Sequence, residues 1–143
     1  MLYGYIYNLR KTEYHFNTNH KLRFIFYKMR LHRMSNLYAI HIGINVCDEG
    51  LSIAHVGPVI INGKSHVGKN CRIHVSVNIG ANGGEPPIIG NEVYIDSGAK
   101  FFGNIRVADG CRISANAVVC KNCEEENSTL VGVPVKIIGL HVR

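Results

Sequence analysis

Two histidines in the middle of the chain, His55 and His74, carry the side chains best suited to acid–base chemistry. Imidazole titrates close to neutral pH, so it can take a proton from a hydroxyl group and return it to a leaving group. The alternative is a structural histidine, which is either solvated at the surface or buried with a polar partner. The elements that position the two side chains must decide between these roles.

Cysteine chemistry has less support. Cys120 and Cys123 form one C-x-x-C pair, but zinc normally takes four ligands and no second pair lies at a suitable spacing. The sequence also lacks a glycine-rich phosphate-binding loop and a dinucleotide fingerprint. We therefore expect no metal site and interpret the five cysteines as thiols.

The elements around the histidines follow a repeat of six residues. Three residues after each repeat start, seven of the ten positions are Asn or Gly, which best tolerate a left-handed backbone. Four residues after each start, all ten positions are small or apolar, and they include Cys71, Cys111 and Cys123. The ten repeat starts, with one longer step after the fourth, are Ile61, Val67, Ile73, Ile79, Ile89, Ile95, Phe101, Val107, Ile113 and Val119.

This period predicts a parallel β-helix over residues 39–143. A period of six fits neither an α-helix nor an alternating strand with ordinary loops, but it is typical of hexapeptide-repeat solenoids. With three repeats in each coil, each coil covers the edge of the next, and only the terminal coils need caps. The first residue of each repeat should point inward as a core residue.

Three places interrupt the repeat. The longer step falls at 82–87, where Gly-Gly precedes Pro-Pro, and this predicts a protruding loop that is either functional or a tolerated insertion. Backward extension from Ile61 places His55 on an inward row, although Gly57-Pro58 makes an unbroken repeat doubtful there. Beyond Val119 the repeat relaxes, and its phase resumes at Val131 and Ile137.

Residues 1–38 form a basic, helical N-terminal segment with seven Lys or Arg residues and one acid, whereas 39–143 carries nine of each. Because the body is neutral, we expect no nucleic-acid partner. Residues 19–35 predict an amphipathic helix that Asn19 caps and that covers the first coil or a neighbouring subunit. Peripheral contact with an anionic membrane is the alternative. No apolar run is long enough to span a bilayer or forms a signal core, so we expect a cytoplasmic protein.

Two segments, 51–58 with the sequence LSIAHVGP and 68–74 with the sequence GKNCRIH, give a specific resemblance. They resemble the serine acetyltransferase branch of the hexapeptide-repeat acyltransferases, and its shorter relatives in surface-polysaccharide gene clusters more closely still. The resemblance implies an all-β fold, a left-handed parallel β-helix with a short N-terminal α-helical segment. It also implies direct transfer from acetyl-coenzyme A without an acyl-enzyme. His55 matches the catalytic base, and we expect His74 to face outward, as a second active-site group contributed across a subunit boundary or as a surface residue.

The resemblance places coenzyme A in a groove between two subunits of a homotrimer. Small residues along that groove would be Ala81, Ser97 and Ala115, and Lys100 and Arg112 are the candidates for binding its phosphates. A backbone N–H between Gly80 and Gly84 would stabilise the oxyanion.

Departures from true serine acetyltransferases favour another acceptor. Ala54 replaces an acidic residue beside the catalytic histidine, Ile40 lies near the position of its orienting aspartate, and 86–87 lacks a second histidine. We therefore expect a sugar hydroxyl of a surface polysaccharide or its precursor as acceptor, with L-serine second. Three acids are candidate partners for His55, namely Asp48, Glu49 and Glu85. A non-catalytic β-helix that serves as an assembly or scaffold module is the competing hypothesis.

Overall fold

The computed structural model describes residues 2–140, in which two helices precede fourteen short strands. The helices are α1 (Leu2–Asn17) and α2 (Lys21–Tyr38), and the strands wind into a prism with three faces. The first face contains β1 (Ile40–Ile42), β3 (Val59–Ile61), β6 (Val77–Gly80), β9 (Lys100–Phe102) and β12 (Val118–Val119). The second face contains β4 (His66–Val67), β7 (Ile88–Ile89) and β10 (Arg106–Val107). The third face contains β2 (Ser52–Ile53), β5 (Arg72–Ile73), β8 (Tyr94–Ile95), β11 (Arg112–Ile113), β13 (Ser128–Val131) and β14 (Lys136–Leu140).

Strand pairing confirms the predicted parallel β-helix. Neighbouring strands of successive coils pair in parallel, and Tyr94 pairs with Arg112, which lies three repeats of six further along the chain. The step from Arg72 to its partner Tyr94 is longer, because the loop at 82–87 adds four residues to that coil. The step from Ile53 to its partner Ile73 is also longer, because the corner at Gly57-Pro58 adds two. Both interruptions therefore leave the stacking of the coils intact.

The interior of the prism is apolar along its whole length. All ten predicted repeat starts are buried, and so are nine of the ten small positions, Gly83 in the loop being the exception. Burial raises the pKa of the Cys71 thiol to about 11 and that of Cys111 to about 12. These thiols are therefore neutral and act as small core residues.

The corners differ from face to face. Seven of the ten positions predicted to be left-handed have positive φ, namely Asn70, Ser76, Asn82, Glu92, Gly98, Gly110 and Asn116. The other three, Lys64, Asn104 and Asn122, lie at corners between the first and second faces. At one of these corners, Asn62 Oδ1 instead accepts a hydrogen bond of 2.9 Å from Lys64 N. A side-chain turn thus replaces the left-handed residue there.

Helix α1, which the sequence did not predict as a separate element, caps the first coil. Tyr5 Oη donates a hydrogen bond of 3.1 Å to the Ile40 carbonyl oxygen. Arg10 donates to the carbonyl oxygens of Cys47 and Asp48, and Glu13 Oε1 accepts from Asn45 N at 2.9 Å. Polar side chains of α1 therefore satisfy backbone groups that the first coil would otherwise leave unpaired.

Helix α2 packs on α1, and the predicted apolar face does not cover the first coil, whereas its alternative role, covering a neighbouring subunit, stays a prediction. Its predicted apolar residues Leu22, Ile25, Phe26 and Met29 are all exposed. The predicted cap is also wrong, because the helix begins at Lys21 and Asn19 has a φ of 56° in the turn between the helices. Within residues 2–140, neither helix combines the length and the apolar character that crossing a bilayer would require.

The last coil closes by folding back on itself. Strand β14 pairs antiparallel with β13. In β13, Thr129 pairs with Arg112, so this last coil is one residue shorter than three repeats of six. Leu130 and Val135 are the buried residues here, whereas Ile137 is exposed. The prediction that the repeat resumes its phase at Val131 and Ile137 is therefore wrong, because one residue is missing from this coil.

Candidate active site

His55 lies on a widened corner between the third and first faces. The two extra residues in this coil carry the chain outward between β2 and β3, so the imidazole is exposed. Backward extension of the repeat placed His55 on the inward row, and the shift in phase at Gly57-Pro58 overturns that placement. Gly57 has a φ of 150°, and a Cβ at this position would lie 3.1 Å from Val75 Cγ1. The corner therefore packs closely on the next coil.

His74 lies against His55 within the same chain. The two rings are 5.8 Å apart between centroids, and Tyr94 covers the other side of His74 at 5.1 Å. His74 follows the inward Ile73 and so points away from the core, as predicted, but its neighbours leave it half-buried. No subunit boundary is needed to bring it to His55.

One nitrogen of His74 has no protein partner. The Nε2 atom is buried and makes no hydrogen bond to any residue that the structure describes. A buried polar atom of this kind is uncommon in native proteins and is usually satisfied by water, a ligand or another chain. The corner thus presents one exposed imidazole and, beside it, one unsatisfied imidazole nitrogen.

An open cleft of about 430 Å³ begins at Tyr94, which contacts the His74 ring, although neither histidine lines it. It is lined by Tyr94, Asp96, Arg112, Ile113, Ser114 and Thr129. Arg112 is exposed on the outer surface of β11 and brings a positive charge to the cleft. The cleft therefore combines an aromatic wall, hydroxyl groups, one cation and the carboxylate of Asp96, and Tyr94 connects it to the histidine pair.

Of the residues that line this cleft, the sequence predicted a role for Arg112, as a candidate for binding the coenzyme A phosphates, but none for Tyr94 or Asp96. Their positions follow from the register across the loop, where the lengthened coil places Tyr94 beside Arg72. The same register places Asp96 one coil beyond His74, and its Oδ1 accepts a hydrogen bond of 2.7 Å from Ser97 N. A column-by-column alignment of the coils would have found both residues.

Two of the predicted coenzyme A residues, Ser97 and Ala115, lie at the same corner as His55, in later coils. The backbone hydrogen bond from Asn116 N to the Ser97 carbonyl oxygen joins their two coils at 2.9 Å. Lys100 follows this corner at the start of β9, and its Nζ donates to the carbonyl oxygens of Ser76 and Gly98 at 2.6 and 3.0 Å. These contacts hold the ammonium group close to the corner.

Ala81 is not part of this group within one chain. It follows β6, which ends at Gly80, at the far end of the first face, and residues 82–84 follow it there. One N–H of that region, from Gly84, is already bonded to the Ala81 carbonyl oxygen at 3.0 Å. Ala81 can join the other predicted residues only if a second copy of the chain lies alongside.

The three predicted carboxylate partners of His55 are engaged or located elsewhere. Asp48 lies 3.5 Å from His66, and Glu49 forms an ion pair of 3.0 Å with Lys69, which lowers the pKa of Glu49. Glu85 is exposed in the loop. None of the three is paired with His55 among the described residues, whose close ring neighbour is His74.

Comparison with known proteins identifies the family. No protein-family model matches the chain. The serine acetyltransferase of Helicobacter pylori strain J99 is 35% identical over 126 residues, which cover 83% of this chain and 72% of that enzyme. The chain belongs to the serine acetyltransferase family. The resemblance predicted from residues 51–58 and 68–74 is thereby confirmed, whereas the likeness to polysaccharide-cluster enzymes stays a prediction.

Solved serine acetyltransferases share the fold. The coenzyme A complex of the Brucella abortus enzyme matches 94% of this chain with a TM-score of 0.79 and 30% identity, over 54% of its own length. The serine complex of the Neisseria gonorrhoeae enzyme matches 94% with a TM-score of 0.74 and 26% identity, over 55% of its length. The chain thus spans about half the length of these structures, and 45% of one curated serine acetyltransferase.

Proposed function

We propose that this protein is an O-acetyltransferase that uses acetyl-coenzyme A, with His55 as its general base. The observation that carries the proposal is the exposed imidazole of His55, which lies against His74 beside a cleft that contains Arg112. Family membership supports the same chemistry, because a solved relative that matches nearly all of this chain is a complex with coenzyme A.

The proposed reaction needs one proton carrier. His55 takes the proton from the acceptor hydroxyl as its oxygen attacks the thioester carbonyl carbon. The C–O bond forms, and the carbonyl electron pair moves to oxygen in a tetrahedral intermediate. Collapse of this intermediate breaks the C–S bond, and the imidazolium of His55 returns the proton to the departing thiolate. Acetyl ester and free coenzyme A result, without an acyl-enzyme.

His74 has the geometry of a second active-site group. Tyr94 and His55 fix its ring from two sides, and its buried Nε2, which has no partner among the described residues, would bond a substrate oxygen once a side-chain movement exposes it. A prepositioned donor of this kind stabilises charge that develops in the transition state. We assign His74 to bind the acceptor or the carbonyl oxygen, with His55 as the group that moves the proton.

Coenzyme A would lie along the corner that carries Ser97 and Ala115. Small side chains there leave room for the pantetheine arm, and the cations Lys100 and Arg112 would face its phosphates. Ala81, at the other end of the first face, would belong to the opposite wall of the groove, on a neighbouring copy. This division of the predicted residues between two copies supports a homotrimer. Light scattering tests the oligomeric state, and an active monomer would contradict the shared groove.

The acceptor is proposed to be a sugar hydroxyl of a surface polysaccharide or its precursor. An amino acid acceptor would need a carboxylate to hold its ammonium group, but Ala54 precedes His55, and Asp48 and Glu49 are engaged with His66 and Lys69, so of the acids named above only Asp96 of the cleft is placed for that role. L-Serine is the second candidate, because the H. pylori relative is a serine acetyltransferase and the N. gonorrhoeae relative was solved with serine.

Thiol release from acetyl-coenzyme A tests both the activity and the acceptor. The expected result is release that depends on a saccharide acceptor, with mass spectrometry showing one added acetyl group on the sugar. Thiol release with L-serine but with no saccharide would support the acetyltransferase activity and would show that the acceptor is L-serine and not a sugar. No release with any hydroxyl acceptor, from protein that still binds coenzyme A, would favour the scaffold hypothesis.

A further inference from the structure

Helix α2 has two apolar faces on opposite sides. At 3.6 residues per turn, Phe24, Tyr27, Leu31, Met34 and Tyr38 lie on the inner side. This side packs on α1, where Phe16 meets Phe24 at 5.4 Å and His15 stacks on Tyr27 at 5.3 Å between ring centroids. One apolar face is enough to dock a helix on its domain. The second face, which we call the outer stripe, consists of Leu22, Ile25, Phe26, Met29 and Leu37.

The outer stripe is open to solvent along the whole helix. Leu22 is 85% exposed, Met29 68% and Leu37 72%. Ile25 and Phe26, between them, are each more than half exposed. Large apolar side chains scattered singly on a surface need no explanation, but five on one face of a helix mark a contact surface.

Cations border the outer stripe, and no acid accompanies them. Lys21 and Lys28 lie along one edge, Arg23 and Arg30 along the other, and Arg33 lies within the stripe. No Asp or Glu occurs between residues 14 and 47. The first turn of α2 contains no acid and lacks a side-chain cap, so the positive end of the helix dipole adds to this field.

This charge pattern selects among partners. A second copy that packed by the same surface across a two-fold axis would place five cations against five cations, with no acid to offset them. A nucleic acid would match the cations but would leave the apolar row in contact with phosphates. The surface of an anionic bilayer matches both features, because the stripe enters the acyl boundary while long Lys and Arg side chains reach the headgroups.

We propose that α2 is a membrane-surface helix that docks this protein on anionic lipid bilayers through the outer stripe and its flanking cations. The helix lies in the plane of the interface, with α1 and the first strand β1 on its inner side. The proposal is independent of the acetyl transfer chemistry, because lipid binding requires no turnover.

Vesicle cosedimentation of the full chain tests the proposal. Vesicles of phosphatidylcholine with phosphatidylglycerol should bind the protein, and vesicles of phosphatidylcholine alone should bind it much more weakly. The Leu22→Ser and Met29→Ser substitutions should each weaken binding roughly tenfold, since each removes apolar surface that enters the bilayer. Lys28→Gln and Arg33→Gln should each weaken it about fivefold at low salt.

Matched substitutions on the prism provide the control. Ile138→Ser and Lys121→Gln remove an exposed apolar and an exposed cationic side chain at the opposite end of the prism from the helices, and they should change binding by less than about twofold. All six positions are exposed, so circular dichroism should show unchanged folding. Equal binding to both kinds of vesicle, or none, would overturn the proposal.

Two further outcomes would assign the stripe to another partner and would also overturn the proposal. If the stripe joined copies of the chain, light scattering without lipid would show an assembly that becomes smaller in the Leu22→Ser variant. If the surface recognised only a polyanion, the protein should bind transfer RNA. Arg33→Gln should then weaken this binding, and Met29→Ser should leave it unchanged. Acetyltransferase assays on the same variants keep this test separate, because none of these residues lies at the histidine corner.

Discussion

Two corners of the prism carry extra residues, and they have opposite consequences. The corner at Gly57-Pro58 adds two residues, packs on Val75 of the next coil, and brings His55 against His74. The loop at 82–87 adds four residues and protrudes, with residues 82–85 exposed and no neighbour within 4 Å of a Cβ at Gly83. A small insertion that packs can build a site, whereas a longer one in solvent mainly lengthens the coil.

The largest expected effect comes from the packed corner. His55→Ala should lower turnover about 10²–10⁴-fold, because it removes the proposed proton carrier. His41→Ala, which changes an equally exposed histidine on β1, is the matched control and should leave turnover unchanged. Steady-state thiol release measures both. Equal activity in the two variants would remove His55 from the mechanism.

His74→Phe tests the second ring of the same corner. Phenylalanine retains the ring contacts with His55 and Tyr94 but has no nitrogen, so turnover should fall roughly tenfold to a hundredfold. The thermal midpoint should rise or stay level, because a buried nitrogen without a partner is lost. Unfolding of the variant would show that His74 is structural, and full activity would exclude a substrate contact.

Shortening the loop tests the other interruption. Deletion of residues 83–86 restores the ordinary coil spacing, and it should change the free energy of unfolding by less than about 1 kcal/mol, since loop length has a small entropic effect. Urea denaturation measures this change. A loss of several kcal/mol would mean that the loop stabilises the prism, and the contrast with the packed corner would no longer hold.

The smallest expected signal concerns the thiols in the interior of the prism. Burial raises the pKa of Cys47 and Cys111 to about 12 and that of Cys71 to about 11, and Cys123 is also buried. At neutral pH, only the exposed Cys120 should react quickly with a chromogenic disulfide. Rapid reaction of further thiols in native protein would show that an interruption opens the core.

The repeat made the interior predictable but not the corner. Each repeat start is buried as expected, because one apolar side chain in every six residues must fill a narrow prism. The pairing of His55 with His74 depends on a two-residue shift that only the strand register reveals. The repeat, extended backward across Gly57-Pro58, placed His55 in the core. The sequence alone does not show that this corner contains two extra residues, which shift the phase of the repeat.

The helices show the same limit. Apolar residues at helical spacing predicted α2, but the spacing did not say which of two apolar faces would be buried. Packing on α1 uses the face with Leu31 and leaves Leu22 and Met29 exposed. The caps on the first coil were beyond prediction as well, since Tyr5 and Arg10 bond to backbone groups that are distant in the sequence, at Ile40 and Cys47.

A crystal structure with coenzyme A bound tests the central claim most directly. The position of the coenzyme A sulfur decides whether the widened corner is the active site. We expect this sulfur beside the rings of His55 and His74, with the phosphates toward Lys100 or Arg112. A sulfur bound away from both imidazoles would contradict the proposed mechanism, whatever the acceptor.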